Sequence, residues 1–150
     1  MMPDNIVIRP IQLSERTDWE PLWQAYLAFY ESSQPSVETE VTWARLHDPA
    51  EPMFALGALA DGKLCGITHY LFHRSFWMSA DYCYLQDLFV TSEARGHGLG
   101  RAMIEAVADK ALEAGAQRLY WLTKEDNLAA RALYDRVADR SGFIQYRRTL

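Results

Sequence analysis

The sequence is poor in the residues that would give it a covalent framework, a membrane anchor or a basic surface. It has 2 cysteines in 150 residues, and their spacing favours buried thiols over a disulfide or a nucleophile. Its longest apolar stretch, 53–60, is far shorter than the about 20 residues of a membrane span. The net charge of −5 argues against a nucleic-acid partner, which usually requires a basic surface.

The chain start also lacks a basic and an apolar targeting region, so we expect a cytoplasmic protein. Hydrophobic residues make up 49% and charged residues 23%, which is typical of a globular chain. The length suits one domain, and neither an internal repeat nor a linker is visible. We therefore expect a single domain that spans residues 1–150.

Hydrophobic periodicity predicts a mixed α/β fold with a central sheet of about six strands and about four flanking helices. The predicted strands are 6–10, 54–60, 64–72, 82–90, 118–122 and 143–148. The predicted helices are 19–30, 40–46, 99–114 and 127–137, with Thr17 or Asp18 as N-cap of the first. Asp61-Gly62 predicts a tight hairpin turn between the second and third strands.

A glycine-rich segment lies between a predicted strand and the longest amphipathic helix. Gly96, Gly98 and Gly100 permit a close backbone approach to a ligand, and the helix start offers free N–H groups to an anion. Arg95 and Arg101 add positive charge. The segment has neither the acidic residue that follows a dinucleotide-binding GxGxxG nor the Gly-Lys-Ser/Thr of a P-loop. A flexible connection remains the alternative to a phosphate site.

Two blocks of this sequence resemble motifs of the GNAT superfamily of N-acetyltransferases. Arg95-Gly96-His97-Gly98-Leu99-Gly100 resembles the family's acetyl-CoA pyrophosphate motif, Q/R-x-x-G-x-G/A, after the strand 84–90. The second block runs from 121 to 143, where Asn127 opens a helix and Tyr134 follows it. Their spacing of 7 residues places both side chains on one helix face. The element order of the whole chain also resembles that of the family.

The resemblance implies a GNAT fold and an acetyl-CoA cosubstrate without a metal. It implies direct attack of a neutral amine on the thioester, with a backbone N–H of the strand facing the thioester oxygen and Tyr134 as the acid near the sulfur. The implied cofactor-binding residues are Leu88, Phe89, Val90, Arg95, Gly96, His97, Gly98, Leu99, Gly100, Arg101, Asn127 and Tyr134.

The base that would deprotonate the amine is less clearly marked. Related amine acetyltransferases often carry a glutamate on this strand, where the present chain has Gln86. Asp87 is the candidate base, although strict strand alternation would point it to the opposite face unless a bulge intervenes. His69 and His73 would share a strand face, and a place at the surface or in an acceptor pocket suits them better than metal binding.

The resemblance to diamine and polyamine acetyltransferases, and equally to small histone-acetyltransferase-related members, implies a primary-amine acceptor. We expect a small-molecule amine. A protein lysine or N-terminal amine is the alternative, and a non-catalytic acetyl-CoA-binding module is the alternative of another class, because the glutamate is missing.

The end of the chain predicts self-association. Family members usually have a seventh strand after the last strand predicted here, so the segment 143–148 would leave an unpaired edge. Related small members are often dimers. We therefore expect a homodimer in which this edge is covered.

Overall fold

The structure, a computed structural model, describes residues 5–150. The predicted absence of a targeting segment therefore falls partly on residues 1–4, outside the described part. The strands are β1 Ile6–Pro10, β2 Met53–Ala60, β3 Lys63–His73, β4 Tyr82–Val90 and β5 Arg118–Tyr120. The helices are α1 Arg16–Phe29, α2 Ser36–Leu46, α3 Leu99–Glu113 and α4 Leu128–Val137. The predicted mixed α/β fold is confirmed.

The strands form one sheet in the order β1-β2-β3-β4-β5. All neighbouring pairs are antiparallel except β4 and β5, which are parallel. Asp61 and Gly62 join β2 to β3 with positive φ angles of 50° and 81°, as a type I′ turn requires. The predicted hairpin is therefore confirmed.

Apolar side chains fill both faces of the sheet. Helices α1 and α2 cover one face with Trp19, which is fully buried and lies 4.8 Å from the ring of Trp43. Helix α3 covers the other face with Met103 and Val107, both fully buried. The sheet is thereby held between two helical layers. No helix within residues 5–150 has the length and apolar character needed to cross a membrane.

The predicted sixth strand, 143–148, is wrong. The described chain contains five strands, and residues 138–150 follow α4 without regular structure. Phe143, Ile144 and Tyr146 are 90%, 77% and 90% exposed. A strand forms through hydrogen bonds to a neighbour, and within residues 5–150 this segment pairs with no strand. The apolar pattern that predicted a strand is present, but its partner is missing.

Two helix starts differ from prediction by two residues or more. Helix α1 begins at Arg16 rather than after Thr17 or Asp18, because a short 3₁₀ turn leads into it. Glu15 fixes that turn, since its carboxylate accepts the Gln12 N–H at 2.8 Å. Helix α2 begins at Ser36, four residues before the predicted start.

Candidate active site

A β-bulge in β4 sets the geometry of the site. His69 of β3 pairs with Asp87, but the next residue pairs with Leu85, so Gln86 is an extra residue in β4. The bulge reverses the alternation of side chains beyond it. Leu85 packs in the core beside α3, whereas Asp87 lies on the opposite face, next to His69. The bulge on which the sequence analysis made the orientation of Asp87 depend is therefore present.

Asp87 and Gln86 line a cleft between the sheet and the helices α1 and α2, which we call the bulge cleft. Its volume is about 160 Å³. Aromatic, aliphatic and polar side chains surround it, and none of its lining residues is a lysine or an arginine. The lining residues are Trp23, Gln34, Thr42, Leu46, Met53, Phe54, His69, Tyr70, Leu71, Gln86 and Asp87.

A second cleft opens where β4 and β5 separate, and we call it the splay cleft. The two strands pair only from Tyr82 to Tyr84 of β4, after which β4 continues to Val90 beside the opening. Gln86 lines both clefts, so they adjoin at the bulge. The main lining residues of the splay cleft are Leu85, Leu88, Ile104, Trp121 and Tyr134.

Tyr134 projects from α4 into the splay cleft. Its ring meets that of Trp121 edge-on, with the ring centroids 5.4 Å apart. Burial, and to a lesser extent the neighbouring Tyr30, raises the pKa of the Tyr134 phenol above its ordinary value. Tyr134 therefore keeps its proton at neutral pH and can donate a hydrogen bond into the cleft.

The glycine-rich segment ends at the start of α3, close to the open side of β4. Gly96 and Gly98 have φ angles of 83° and 78°, and Gly98 is the N-cap residue of α3. The first backbone hydrogen bond of the helix runs from the Ala102 N–H to the Gly98 carbonyl. Within residues 5–150 the preceding N–H groups, from Leu99 to Arg101, have no acceptor. This arrangement suits an anion.

The charged residues of the segment are placed differently from one another. The Arg95 Nε donates to the Val90 carbonyl at 3.0 Å, and its guanidinium lies 5.6 Å from the centre of the Phe89 ring. Arg95 therefore fixes the segment against β4. Arg101 is exposed on the first turn of α3, and His97 is half-buried. The structure brings Arg101 and His97 to the helix start, while Arg95 supports the loop from behind.

Asn127 is the N-cap residue of α4, the helix that carries Tyr134. Its amide donates to the Thr123 hydroxyl at 3.3 Å. This bond ties the loop after β5 to α4. Asn127 thus holds the outer wall of the splay cleft in place.

The carboxylate of Asp87 is held by a buried chain of hydrogen bonds. Its Oδ2 lies 2.9 Å from Nδ1 of His69, whose Nε2 lies 3.0 Å from Nε1 of Trp19. Burial, followed by the charge of Asp87, raises the pKa of Tyr26 and of Tyr30. These phenols are therefore neutral hydrogen-bonding groups around a single negative charge.

His69 and His73, the two histidines of β3, are both engaged in other hydrogen bonds. His69 is engaged by Asp87 and Trp19, and Nε2 of His73 lies 2.7 Å from the Tyr120 hydroxyl. No group of three potential ligands, drawn from His, Cys, Asp and Glu, comes together within residues 5–150.

Sequence and structure comparisons identify the protein class. The acetyltransferase (GNAT) family model matches residues 19–138. A D-amino-acid N-acetyltransferase of Saccharomyces cerevisiae is 36% identical over 99% of this chain and 93% of its own length. A thialysine N-epsilon-acetyltransferase of Bos taurus is 34% identical over 57% of this chain and 49% of its own length. An aminoglycoside N-acetyltransferase solved with CoA has the same fold, with a TM-score of 0.83 and 16% identity over 97% of this chain and 95% of that one.

This chain belongs to the GNAT family of acetyltransferases. The family resemblance of the two sequence motifs and the prediction of an N-acetyltransferase are both confirmed. The relatives acetylate different amines, so the class of acceptor is not set by membership alone.

Several residues of the site were not singled out by sequence reasoning. Trp19 has the spacing of an ordinary core residue on α1, and its hydrogen bond to His69 depends on a contact across 50 positions. Tyr26 and Tyr30 line the splay cleft, whereas helical periodicity predicts core packing for most aromatic residues of the first helix and a place in a pocket for the others, without saying which. The only signal was the abundance of aromatic residues on the first helix.

Proposed function

We propose that residues 1–150 act as one acetyltransferase domain that transfers the acetyl group of acetyl-CoA to a small primary amine. The observation that carries the proposal is the junction of the two clefts at Gln86. The splay cleft would hold the thioester end of the cosubstrate, and the bulge cleft would hold the amine. The two reactants would then meet beside β4.

The N-terminal turn of α3 supports a diphosphate at the glycine-rich segment. Its unpaired N–H groups, the positive φ at Gly96 and Gly98, and the exposed Arg101 all favour an anion. The pantetheine arm would contact the end of β4, at Leu88, Phe89 and Val90. Acetyl-CoA would supply the activated acyl group as a thioester.

The bulge cleft supports a small cationic acceptor. Asp87 places a carboxylate in its wall, and none of its lining residues is a lysine or an arginine that would repel an ammonium group. A volume of about 160 Å³ is small beside the about 300–1,000 Å³ of pockets for drug-sized ligands. A short alkyl amine of the diamine or polyamine type fits this description better than a peptide segment.

Asp87 and Tyr134 would divide the proton chemistry. An alkyl ammonium with a pKa of about 10.4 is less than about 0.1% neutral at pH 7, so it must lose a proton before it can react. Asp87 would bind the ammonium and receive that proton. A phenol is a weaker acid than a thiol by about 1.5 pKa units, and burial weakens Tyr134 further. Tyr134 would therefore stabilise the departing sulfur through a hydrogen bond while it retains its own proton.

The charge of Asp87 can be tested with a matched pair of variants. Asp87→Asn keeps the size of the side chain and removes its charge, while Asp109→Asn makes the same change at an exposed position of α3. We expect Asp87→Asn to lower kcat/KM for a diamine by at least about 100-fold, a typical contribution of acid–base catalysis, and to leave acetyl-CoA binding unchanged. Wild-type turnover in Asp87→Asn would remove Asp87 from the mechanism.

We also infer that two copies of this chain form a homodimer. The exposed apolar side chains of residues 138–150 support this, as does the outer edge of β5, which has no strand partner among residues 5–150. A second copy could cover both features. Sedimentation at micromolar concentration should give a dimer, and Phe143→Ser with Ile144→Ser should shift it toward monomer. A wild-type monomer at that concentration would refute the inference.

The cytoplasm is the compartment that we propose for this enzyme. Cys65 and Cys83 are both buried and free. Unpaired cysteines suit a reducing environment. Fluorescence microscopy of the tagged chain would test this location, and fluorescence outside the cell would contradict it.

A further inference from the structure

His69 stands between the proposed acceptor-binding carboxylate and the hydrophobic core. It lies at the point of β3 where the bulge of β4 shifts the register. His69 is 6% exposed and Trp19 is fully buried. One ring nitrogen of His69 contacts Asp87 and the other contacts Trp19, at 2.9 and 3.0 Å. Both nitrogens of the imidazole are therefore engaged.

The contact with Trp19 determines which nitrogen of His69 carries the proton. An indole N–H is a donor only, so Nε2 of His69 must be the acceptor and must be bare. The proton of the neutral ring then lies on Nδ1, which donates to the Asp87 carboxylate. A second proton, on Nε2, would leave the buried Trp19 N–H facing another donor, and an unsatisfied buried donor is costly.

We propose that His69 is a positioning residue for amine acetylation, fixed by Trp19 as the Nδ1–H tautomer so that it orients the Asp87 carboxylate. Oδ2 of Asp87 then accepts from His69, and the rest of the carboxylate is left for the Tyr26 hydroxyl and the ammonium group of the acceptor. This inference rests on the proposed role of Asp87. It gives His69 and Trp19 a part in the reaction in addition to their packing in the protein interior.

The other groups around the carboxylate are phenols that do not connect it to the core. Tyr26 of α1, Tyr30 at the C-cap of α1 and Tyr84 of β4 face the same charge, and burial together with that charge raises the pKa of each phenol; for Tyr26 a hydrogen bond to Asp87 adds to this rise. They remain neutral at physiological pH. The residues that α2 and β2 contribute to the bulge cleft, among them Thr42 and Phe54, carry no ionisable side chain. His69 is the neighbour that links Asp87 to the buried Trp19 through its two ring nitrogens.

Two substitutions of His69 separate its two hydrogen bonds. In His69→Asn, the amide nitrogen can take the position of Nδ1 and keep the bond to Asp87. In His69→Gln, the longer side chain places its amide oxygen near the position of Nε2, so the bond from Trp19 is kept and the bond to Asp87 is lost. We expect His69→Gln to lower kcat by about 10- to 100-fold at unchanged acetyl-CoA affinity, the usual effect of losing a hydrogen bond to a charged group. His69→Asn should stay within about threefold of wild type, because it retains that bond.

The tautomer itself can be read without any substrate. Nitrogen NMR of the ¹⁵N-labelled wild-type protein should show a proton on Nδ1 and a bare Nε2 for His69, and Trp19→Phe should remove this preference. A proton on Nε2 in the wild type would overturn the inference. Equal activity of His69→Asn and His69→Gln would also overturn the inference. If Asp87→Asn still lowers kcat/KM in that case, the proposed function stands. Full activity of Asp87→Asn would instead refute the proposed role of Asp87, and the inference with it.

Discussion

Gly98 and Gly62 offer a matched test of the glycine-rich segment. Both residues have φ near +80°, at 78° and 81°, and a Cβ added at either would meet no atom within 4 Å. Alanine at either position therefore meets no steric clash but must adopt the left-handed region, at about 1–2 kcal/mol. For a chain of this size each kcal/mol lowers Tm by about 2–4 °C, so both variants should melt about 2–8 °C below wild type.

Only Gly98→Ala should also weaken acetyl-CoA binding. Gly98 is the N-cap of α3, and its conformation directs the free N–H groups that follow it, whereas Gly62 lies in the hairpin between β2 and β3. The loss of one hydrogen bond to a charged group corresponds to an affinity about 10- to 100-fold lower. Calorimetric titration with acetyl-CoA should find that loss in Gly98→Ala and wild-type affinity in Gly62→Ala. Equal affinities of the two variants would refute the assignment of the segment as the diphosphate site.

Four further predictions follow from other parts of the structure. Tyr134→Phe should lower kcat by about 10-fold or more at unchanged acetyl-CoA affinity, since the ring stays and the hydrogen bond to sulfur is lost; an unchanged kcat in steady-state assays would exclude that bond. Because burial raises the Tyr134 pKa, its hydroxyl keeps its proton through the ordinary phenol pKa of about 10, so a pH–rate profile should show no decline from Tyr134 ionisation below pH 10. Cys65 and Cys83 should label with a thiol reagent only on unfolding, because burial raises the pKa of both and that of Cys83 to about 11; rapid labelling of the native protein would contradict their placement. Gly57→Ala should cost about 1–3 kcal/mol in denaturant unfolding, because its Cβ would lie 2.6 Å from Leu64 Cδ1.

Local signals predicted most of the fold. Strand β4 matches its predicted bounds, and α3 ends one residue before its predicted end, because glycines bound that helix and its apolar residues recur at helical spacing. The turn at Asp61-Gly62 was predictable because few dipeptides tolerate positive φ at both positions. These features depend on neighbouring residues, which a sequence displays directly.

The features that the sequence did not reveal depend on distant contacts. The bulge at Gln86 is a property of the pairing between β3 and β4, and no residue type in β4 marks it. The hydrogen bonds from Trp19 to His69 and from His69 to Asp87 join three separate elements. The segment 143–148 has the residues of a strand, but a strand also requires a neighbour, and sequence pattern contains no information on that neighbour.

The most direct test of the proposed function is the release of free thiol from acetyl-CoA by the purified wild-type protein. The amine panel should contain diamines, polyamines, lysine analogues, aminoglycosides and basic peptides, each read against a blank without amine. We expect release above the blank with short diamines or polyamines and little with peptides, because the bulge cleft is small and contains the Asp87 carboxylate. Release with peptides alone would contradict the small-amine assignment. Acetyl-CoA binding without release for any amine would contradict the enzymatic role itself.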